Sequence, residues 1–387
     1  MIVVWGCSPQ NSNQIPEQLQ GLENLTIYSA DPKAAKTISF IKDTEYGESE
    51  DLLIGIMGEV VVDSSGRVYI ADIGNMVIYA FEPDGEFIGQ LGREGSGPGE
   101  FSSFIKNLQI HNNRLYAFDP GSHRLNIFTL DSMVIETGVA LAGNRSSYQI
   151  LARTFPRIRN LYVRGDDTYI AEFIMYASQE EFQRYHNIEV KGLFYLLDNE
   201  GMITRELLEF KSEMRTRLDL DLHLQAFFGN KLPVLSSENR IYLAEPDNFL
   251  VKVYTPNGDY QSAFFYPVRQ IPITRESVDE ADVRDRIRVS GKEISLMETV
   301  DLPETWPVLT DMKIDDHDRF WIAVTVEDMS IYEWWVLQKD GEMITRFEWP
   351  RDEPIEVVKN GFMYTRQTDK ETGLQQIVRY RIELEEV

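Results

Sequence analysis

The fold is indicated by residues 59–101, which read EVVVDSSGRVYIADIGNMVIYAFEPDGEFIGQLGREGSGPGEF. Short apolar runs, such as those around Val60 and Val68, are broken by turn residues. The two clearest breaks are Ser65-Gly66 and Asp84-Gly85. Tight hairpin turns need such residues because they tolerate positive φ. The stretch therefore predicts strands joined by tight turns rather than helices.

The same arrangement recurs along the chain. An aromatic residue takes the equivalent position in six units, at Tyr69, Tyr116, Tyr169, Tyr242, Trp321 and Tyr364. The first turn recurs as Asn112-Asn113, Asp166-Asp167, Glu238-Asn239, Asp316-His317 and Asn360-Gly361, and the second as Glu200-Gly201, Asn257-Gly258 and Asp340-Gly341. A unit of roughly 40 to 50 residues, lengthened in places, is typical of a propeller with four-stranded blades. The prediction is an all-β, six-bladed β-propeller.

The two ends of the chain are predicted to meet. The last unit, from about residue 355 to 384, has room for only three strands, and 36–42 reads as an isolated strand before the first unit. We expect this N-terminal strand to pair with the last blade and close the ring, because closure leaves no free edge. The alternative is a loose N-terminal strand. Residues 36–387 then form one domain, and 1–35 a signal remnant with a flexible tether.

Two stretches break the repeat and are predicted to be insertions, at about 177–187 and 275–305. Ser277 lies three residues before Glu280 in a capping-box arrangement, and apolar residues follow at helical spacing. This predicts a short amphipathic helix over 275–288. Insertions in a propeller lie on its rims, where loops can form a binding surface. The alternative is surface elaboration without function.

The repeat resembles a known type. Tyr69-Ile70-Ala71-Asp72 returns as Tyr242-Leu243-Ala244-Glu245, and 95–101 (GSGPGEF) closely matches a blade linker of the NHL-type repeat. Over about 36–384 the chain is similar to the six-bladed, NHL-like propellers that bacteria export as lipoproteins. The resemblance implies a protein of the bacterial cell envelope, periplasmic or at the cell surface. Most members of that group have no assigned activity.

The charge balance disfavours some partners. The chain carries 63 acidic against 38 basic residues, a net charge of −25. Such a surface repels nucleic acid and anionic membranes. We therefore expect no nucleic-acid partner, and contact with a membrane only through a lipid anchor.

The anchor is predicted at Cys7, the one cysteine of the chain. It ends a short apolar run and precedes a polar stretch, an arrangement that resembles the end of a bacterial lipoprotein signal. Lipid would be attached to Cys7 and the preceding residues removed. The alternative is a cysteine that lies near the N-terminus by chance.

Motifs of known chemistry are missing from the sequence. The five histidines are scattered, and the chain has no His-Glu-x-x-His, no Cys-x-x-Cys and no Gly-x-Ser-x-Gly. No catalytic and no cofactor-binding residue is predicted. The enzyme question stays open, with the balance against an enzyme.

One candidate site emerges from alignment of the repeats. The first strand of each blade lines the central channel, and equivalent residues near its start are Glu59, Asn107, Asn160, Leu232, Asp311 and Ile355. Glu59, Asn107, Asn160 and Asp311 carry the oxygen ligands that Ca²⁺ prefers. The set is similar to the metal site of gluconolactonase and regucalcin-like propellers. These residues predict a site for one Ca²⁺ or other divalent cation; the alternative, which we favour, is a structural, water-binding ring.

Two functions follow from these observations. The first is a non-enzymatic binding propeller at the cell envelope, which holds a protein, peptide or glycan at its rim. The second is a metal-dependent (Ca²⁺ or Zn²⁺), lactonase-like hydrolase at the channel mouth, in which the ion polarises a carbonyl group and a carboxylate acts as base. We favour the first.

Overall fold

The computed structural model describes residues 19–47, 52–141, 157–175, 179–185, 187–219, 222–224, 227, 229–281, 286–289, 292–299 and 302–386. Six antiparallel sheets of at least four strands each contain one repeat unit apiece. The predicted six-bladed β-propeller is therefore confirmed.

Two strands precede the first blade, and the first three blades follow in chain order. The N-terminal strands are β1 (Leu25–Ile27) and β2 (Lys36–Tyr46). Blade 1 contains β3 (Met57–Val62), β4 (Val68–Asp72), β5 (Val77–Phe81) and β6 (Phe87–Leu91), and a short pair, β7 (Arg93–Glu94) and β8 (Glu100–Phe101), follows it. Blade 2 contains β9 (Lys106–His111), β10 (Arg114–Asp119), β11 (Arg124–Thr129) and β12 (Val134–Ala140). Blade 3 contains β13 (Arg157–Val163), β14 (Tyr169–Met175), helix α1 (Gln179–Arg184), β15 (Asn187–Leu197), β16 (Ile203–Asp219) and β17 (Leu222–Leu224).

The last three blades carry the larger insertion. Blade 4 contains β18 (Leu232–Leu235), β19 (Ile241–Glu245), β20 (Phe249–Tyr254) and β21 (Tyr260–Tyr266). The insertion contains α2 (Arg275–Glu280), β22 (Arg286–Val289), β23 (Lys292–Ser295) and α3 (Leu296–Thr299). Blade 5 contains β24 (Leu309–Ile314), β25 (Phe320–Thr325), β26 (Ile331–Leu337) and β27 (Met343–Pro350), and blade 6 contains β28 (Ile355–Lys359), β29 (Phe362–Thr368) and β30 (Gln375–Glu386).

The repeated aromatic residues form part of the core. All six lie on the second strand of a blade, and none is more than 3% exposed: Tyr69, Tyr116, Tyr169, Tyr242, Trp321 and Tyr364. Each blade packs on both faces, so neighbouring residues of one strand are buried against different blades. Trp334 packs with residues of blade 6 and Trp335 with residues of blade 4. The two indole rings thus point to opposite faces of the blade, and both are buried.

The turn chemistry agrees with the sequence. In the turns between third and fourth strands, the glycines adopt positive φ: Gly85 (92°), Gly201 (80°), Gly258 (86°) and Gly341 (97°). In the turn before Trp321 the residue with positive φ is Asp318, one residue after the predicted Asp316-His317.

The N-terminal strand closes the ring, as predicted. Strand β2 pairs antiparallel with β30, from Lys36 opposite Glu386 to Tyr46 opposite Ile377. The side chain of Phe40 lies against the rings of Phe347, with centroids 4.7 Å apart, and Trp349, at 5.4 Å. Blade 6 therefore takes its fourth strand from the start of the chain.

Residues 19–35, which the sequence assigned to a tether, are packed on the propeller. Strand β1 adds to the outer edge of blade 4, parallel to β21. Leu19 is buried against Leu250 and Phe265, and the ring of Tyr28 stacks on Tyr266 at 4.7 Å. These contacts bury apolar residues that a tether would leave in water. Cys7 lies outside the described residues.

Both insertions contain helices, but the second differs from its prediction. Helix α2 begins at Arg275, as predicted, but its N-cap is Thr274, and the capping-box partner is Ser277 and not Glu280. The helix ends at Glu280, and residues 286–289, of which 286–288 were predicted as helix, form β22 and pair with β23. Val278 is fully buried in a small cluster with Trp306.

Candidate functional site at the channel mouth

The topology places the helices and the segments that carry them at one end of the ring. Successive strands of a blade run in opposite directions, so the starts of first strands, the turns after second strands and the connections between blades share one end. Helix α1 follows a second strand, and the segment with α2 and α3 connects blades 4 and 5. We call this end the insertion face, and the end with the glycine turns the opposite face.

The first strands are irregular near the insertion face. Their register with the second strands shifts in five blades, at residues 57–60, 106–109, 158–160, 309–311 and 355–357. The pair β18–β19 of blade 4 shows no such shift. A bulge bends a strand and re-aims its side chains. The bulges therefore change which side chains face the channel at its mouth, and these residues cannot be identified from the in-and-out alternation of a regular strand.

Glu59 joins blade 1 to blade 2. Its Oε2 accepts a hydrogen bond from the backbone N–H of Leu108 at 2.8 Å. Burial raises the pKa of Glu59, while backbone donors at Asn107 and Leu108 and the charge of Lys106 act in the other direction. At least one carboxylate oxygen of Glu59, a predicted metal ligand, is therefore used in a hydrogen bond between blades.

Asn107 and Asn160 continue this pattern into blade 3. Asn107 Oδ1 accepts from the N–H of Leu161 at 3.1 Å, and its Nδ2 donates to Asn160 Oδ1 at 3.3 Å. Asn160 Nδ2 in turn donates to Glu172 Oε2 at 2.6 Å. Glu172 is 2% exposed, and this burial raises its pKa although Arg159 opposes the shift. The structure therefore brings three predicted ring residues together, as links between blades.

Asp311 has a cationic neighbour within the chain. Lys313 Nζ lies 2.9 Å from Asp311 Oδ2. Burial lowers the pKa of Lys313, but the charges of Asp311, Glu356 and Glu59 outweigh it, and the net shift is upward. Lys313 thus supplies a positive charge among three carboxylates.

The sequence alignment missed Glu356 by one residue. Ile355, the predicted equivalent, is 1% exposed, whereas the bulge places the polar position of blade 6 at Glu356. Glu356 Oε1 lies 2.8 Å from Arg366 Nε. Arg366 also donates to the carbonyls of Met57 at 2.8 Å and Gly58 at 2.6 Å. These contacts join blade 6 to blade 1.

An extension of blade 3 reaches back toward the channel. Strand β16 is the fourth strand of its blade, yet its Glu213 Oε2 lies 3.0 Å from Nη1 of Arg159 on the first strand β13. The carbonyl of Ser212 accepts from the N–H of Lys231, just before blade 4, at 3.0 Å. Arg159, beside Asn160, thus offsets the charge of a buried carboxylate.

These contacts bear on the predicted metal site. Oxygens of Glu59, Asn107 and Asn160 accept hydrogen bonds from protein donors, and Lys313 forms an ion pair with Asp311. No cluster of three His, Cys, Asp or Glu side chains suited to a metal ion occurs in the described parts of the chain. The arrangement fits a ring that joins blades better than a coordination shell. The metal site stays a prediction.

A cleft of about 460 Å³ opens on the insertion face between blades 4 and 5. Its apolar lining includes Val268 from the connection between the blades, Val326 from the second turn of blade 5, and Val324 and Ile331 from the strands β25 and β26 that flank this turn. Volumes of this size are typical of ligand pockets. Nothing in the sequence repeat pointed to it, because it forms where the connection after blade 4 and the N-terminal segment at Ala30 meet blade 5, and neither of these belongs to the repeat.

Among the residues that the structure describes, no helix has the length and apolar character needed to cross a bilayer.

Fold and site define a six-bladed β-propeller whose elaborations and channel mouth share one face. Residues 35–150 match the model of the DUF5128 family, described as a 6-bladed beta-propeller. No curated protein matches the sequence.

Several solved structures are similar to this chain over most of its length. A member of the DUF4221 family from Bacteroides vulgatus is 9% identical over 92% of this chain and 100% of its own, with a TM-score of 0.55. A protein from Bacteroides fragilis is 11% identical over 93% and 100%, with a TM-score of 0.49. The calcium-binding protein regucalcin from Agrobacterium tumefaciens is 10% identical over 95% and 98%, with a TM-score of 0.42. At such identities the likeness concerns the fold alone.

Proposed function

We propose that this chain is a non-enzymatic binding propeller of the bacterial cell envelope, which holds a protein, peptide or glycan on its insertion face. The observation that carries the proposal is the gathering of α1, the α2–α3 segment, the β16 extension and the 460 Å³ cleft at one end of the ring. Surface elements added to a rigid scaffold are where propellers and other repeat folds bind partners.

The channel mouth supports the same proposal. Its carboxylates and amides make hydrogen bonds to neighbouring blades, and Lys313 balances Asp311. A lactonase-like site needs such oxygens for an ion and for a base. In the proposed function the ring is structural, and binding takes place on the surface around it.

The lipid anchor belongs to the proposal too. Cys7, in its Gly-Cys-Ser setting, would carry the lipid and hold the propeller at the membrane. Cells fed a labelled fatty acid should label the wild-type protein and not Cys7→Ala. Equal labelling of both would contradict the anchor and leave the binding face untouched.

Photo-crosslinking tests the binding face. A photoreactive phenylalanine analogue is placed at Tyr185 on the insertion face, 49% exposed, or at Val134 on the opposite face, 54% exposed. In intact cells we expect adducts with a partner from position 185 and not from position 134. Adducts from position 134 alone, or equally from both, would contradict the proposal.

A further inference from the structure

We propose that the cleft between blades 4 and 5 binds a basic side chain, arginine or lysine, presented by a peptide segment of the partner. This inference rests on the proposed function and names the chemistry of its ligand. The cleft itself carries it, because an apolar floor of about the right size is bordered by carboxylates.

The floor fits the stem of a long cationic side chain. Val268, Val324 and Val326 line it, and Trp335, 2% exposed, lies beneath. Arginine and lysine bury their methylene groups along apolar surface while the charged end stays among polar groups. A ligand that carries only charged and hydroxyl groups would leave this floor uncovered.

The border selects for positive charge. Four lining residues are acidic and two are basic: Glu327, Asp328, Glu333, Glu348, Arg269 and Arg346. Glu333 and Glu348 are direct neighbours across strands β26 and β27. Like charges in that relation destabilise a sheet. Within the chain Trp335 Nε1 donates to Glu333 Oε2 at 2.6 Å and Arg346 lies beside Glu333 Oε1, so a bound cation relieves the repulsion from the side of Glu348.

The chain's own arginines show that these carboxylates suit a guanidinium group. Arg269 pairs with Glu327, and Arg346 Nε lies 3.8 Å from Glu333 Oε1 while its Nη2 reaches Asp31 at 2.9 Å. Asp328 accepts from Ser330, and Glu348 has no ion pair among the described residues. Glu348 and Asp328 are thus the groups that a ligand's guanidinium would meet, and a carboxylate can bind it through two hydrogen bonds.

The test uses the full chain and a fluorescein-labelled peptide, Gly-Ala-Leu-Arg-Leu-Ala-Gly, in fluorescence anisotropy titrations. The control peptide carries citrulline, which keeps the shape of arginine and removes its charge. We expect the arginine peptide to bind at least tenfold more tightly than the citrulline peptide, and the preference to shrink with added salt. Equal affinity for both peptides would overturn the inference.

Substitutions in the cleft test whether the arginine peptide binds there. The double substitution Glu348→Gln with Asp328→Asn should reduce the affinity for the arginine peptide at least tenfold, whereas Glu86→Gln, an exposed residue of the opposite face, should not change it. Unfolding curves confirm that both variants are folded. Unchanged affinity in the double variant would overturn the assignment to the cleft.

Two further outcomes separate this inference from the proposed function. Free arginine that displaces the peptide at the peptide's own concentration would replace the peptide ligand with a small cation, and so overturn the inference. Citrulline and arginine peptides of equal affinity, together with adducts at position 185, would end the inference and leave the binding face standing.

Discussion

The ammonium nitrogen of Lys313 lies 2.9 Å from Oδ2 of Asp311, two residues earlier on strand β24. Glu356 and Glu59 act on the same ammonium group. The channel mouth thus contains an internal cation where the sequence had suggested a divalent metal ion. The pair belongs to blade 5, while Glu59 belongs to blade 1 and Glu356 to blade 6. Its charge therefore affects three blades.

Replacement of Lys313 tests this role. Lys313→Met keeps an unbranched side chain and removes the charge, so Asp311, Glu356 and Glu59 repel one another. We expect the free energy of unfolding at pH 7 to fall by about 1 to 3 kcal/mol, between the values of exposed and buried pairs. Urea unfolding followed by tryptophan fluorescence measures it. Lys339→Met, at an exposed turn, should change it by less than about 0.5 kcal/mol; an equal loss would remove the special role of Lys313.

Buried Glu172 predicts a pH effect. Its pKa in the folded chain is raised above the ordinary 4.5. The folded state therefore holds this proton more tightly than the unfolded state, and the contribution of Glu172 to stability falls as pH rises from 4.5 through the folded-state pKa. Above that pKa the contribution is constant.

Glu172→Gln removes this titration and keeps an acceptor for Asn160 Nδ2. The variant should gain stability relative to the wild type as pH rises through that window. Urea unfolding at a series of pH values from about 4 to about 8 measures the difference. Glu200→Gln, at an exposed turn, should follow the wild type. A Glu172→Gln curve parallel to that of the wild type would refute the assignment.

Blades 3 and 4 pack closely at Gly258, so a side chain at this position should destabilise the fold. It has φ of 86°, and a Cβ atom there would lie 2.2 Å from the carbonyl oxygen of Leu207 on blade 3. Gly361 has φ of 79° and no atom within 4 Å of a Cβ. Gly361→Ala should therefore cost about 1 to 2 kcal/mol for backbone conformation alone, and Gly258→Ala about 1 to 3 kcal/mol more for the clash. Equal losses in chemical unfolding would show that blades 3 and 4 are not packed in this way.

The pairing of β2 with blade 6 predicts that alanine substitutions at neighbouring residues of β2 destabilise the fold to different extents. Phe40 packs on Phe347 and Trp349, whereas its neighbour Ile41 is 41% exposed. Phe40→Ala should lower the free energy of unfolding by about 2 to 3 kcal/mol, somewhat less than a fully buried phenylalanine. Ile41→Ala should cost less than about 1 kcal/mol. Similar losses in urea unfolding would mean that β2 does not lie against blade 5.

Periodicity explains what the sequence could predict. The buried aromatic residue represented by Tyr116 and the turns with positive φ recur from blade to blade, so the fold could be predicted from the sequence. The closure by β2 could be predicted because the last unit has room for only three strands. Glu356 was not readable, because the bulge shifts the register by one residue. The packing of Leu19 on blade 4 could not be predicted either, since a single apolar residue near a terminus forms no periodic pattern. The cleft depends on Ala30 and on the connection after blade 4, which lie outside the repeat.

The metal content of the purified protein tests the account most directly. Protein is prepared without chelator, and elemental analysis by mass spectrometry compares the wild type with Glu59→Gln. If the oxygens of Glu59, Asn107 and Asn160 join blades and Lys313 balances Asp311, neither protein contains a divalent ion in stoichiometric amount. About one Ca²⁺ or Zn²⁺ per chain in the wild type, lost in Glu59→Gln, would contradict the structural ring and favour the metal-dependent hydrolase.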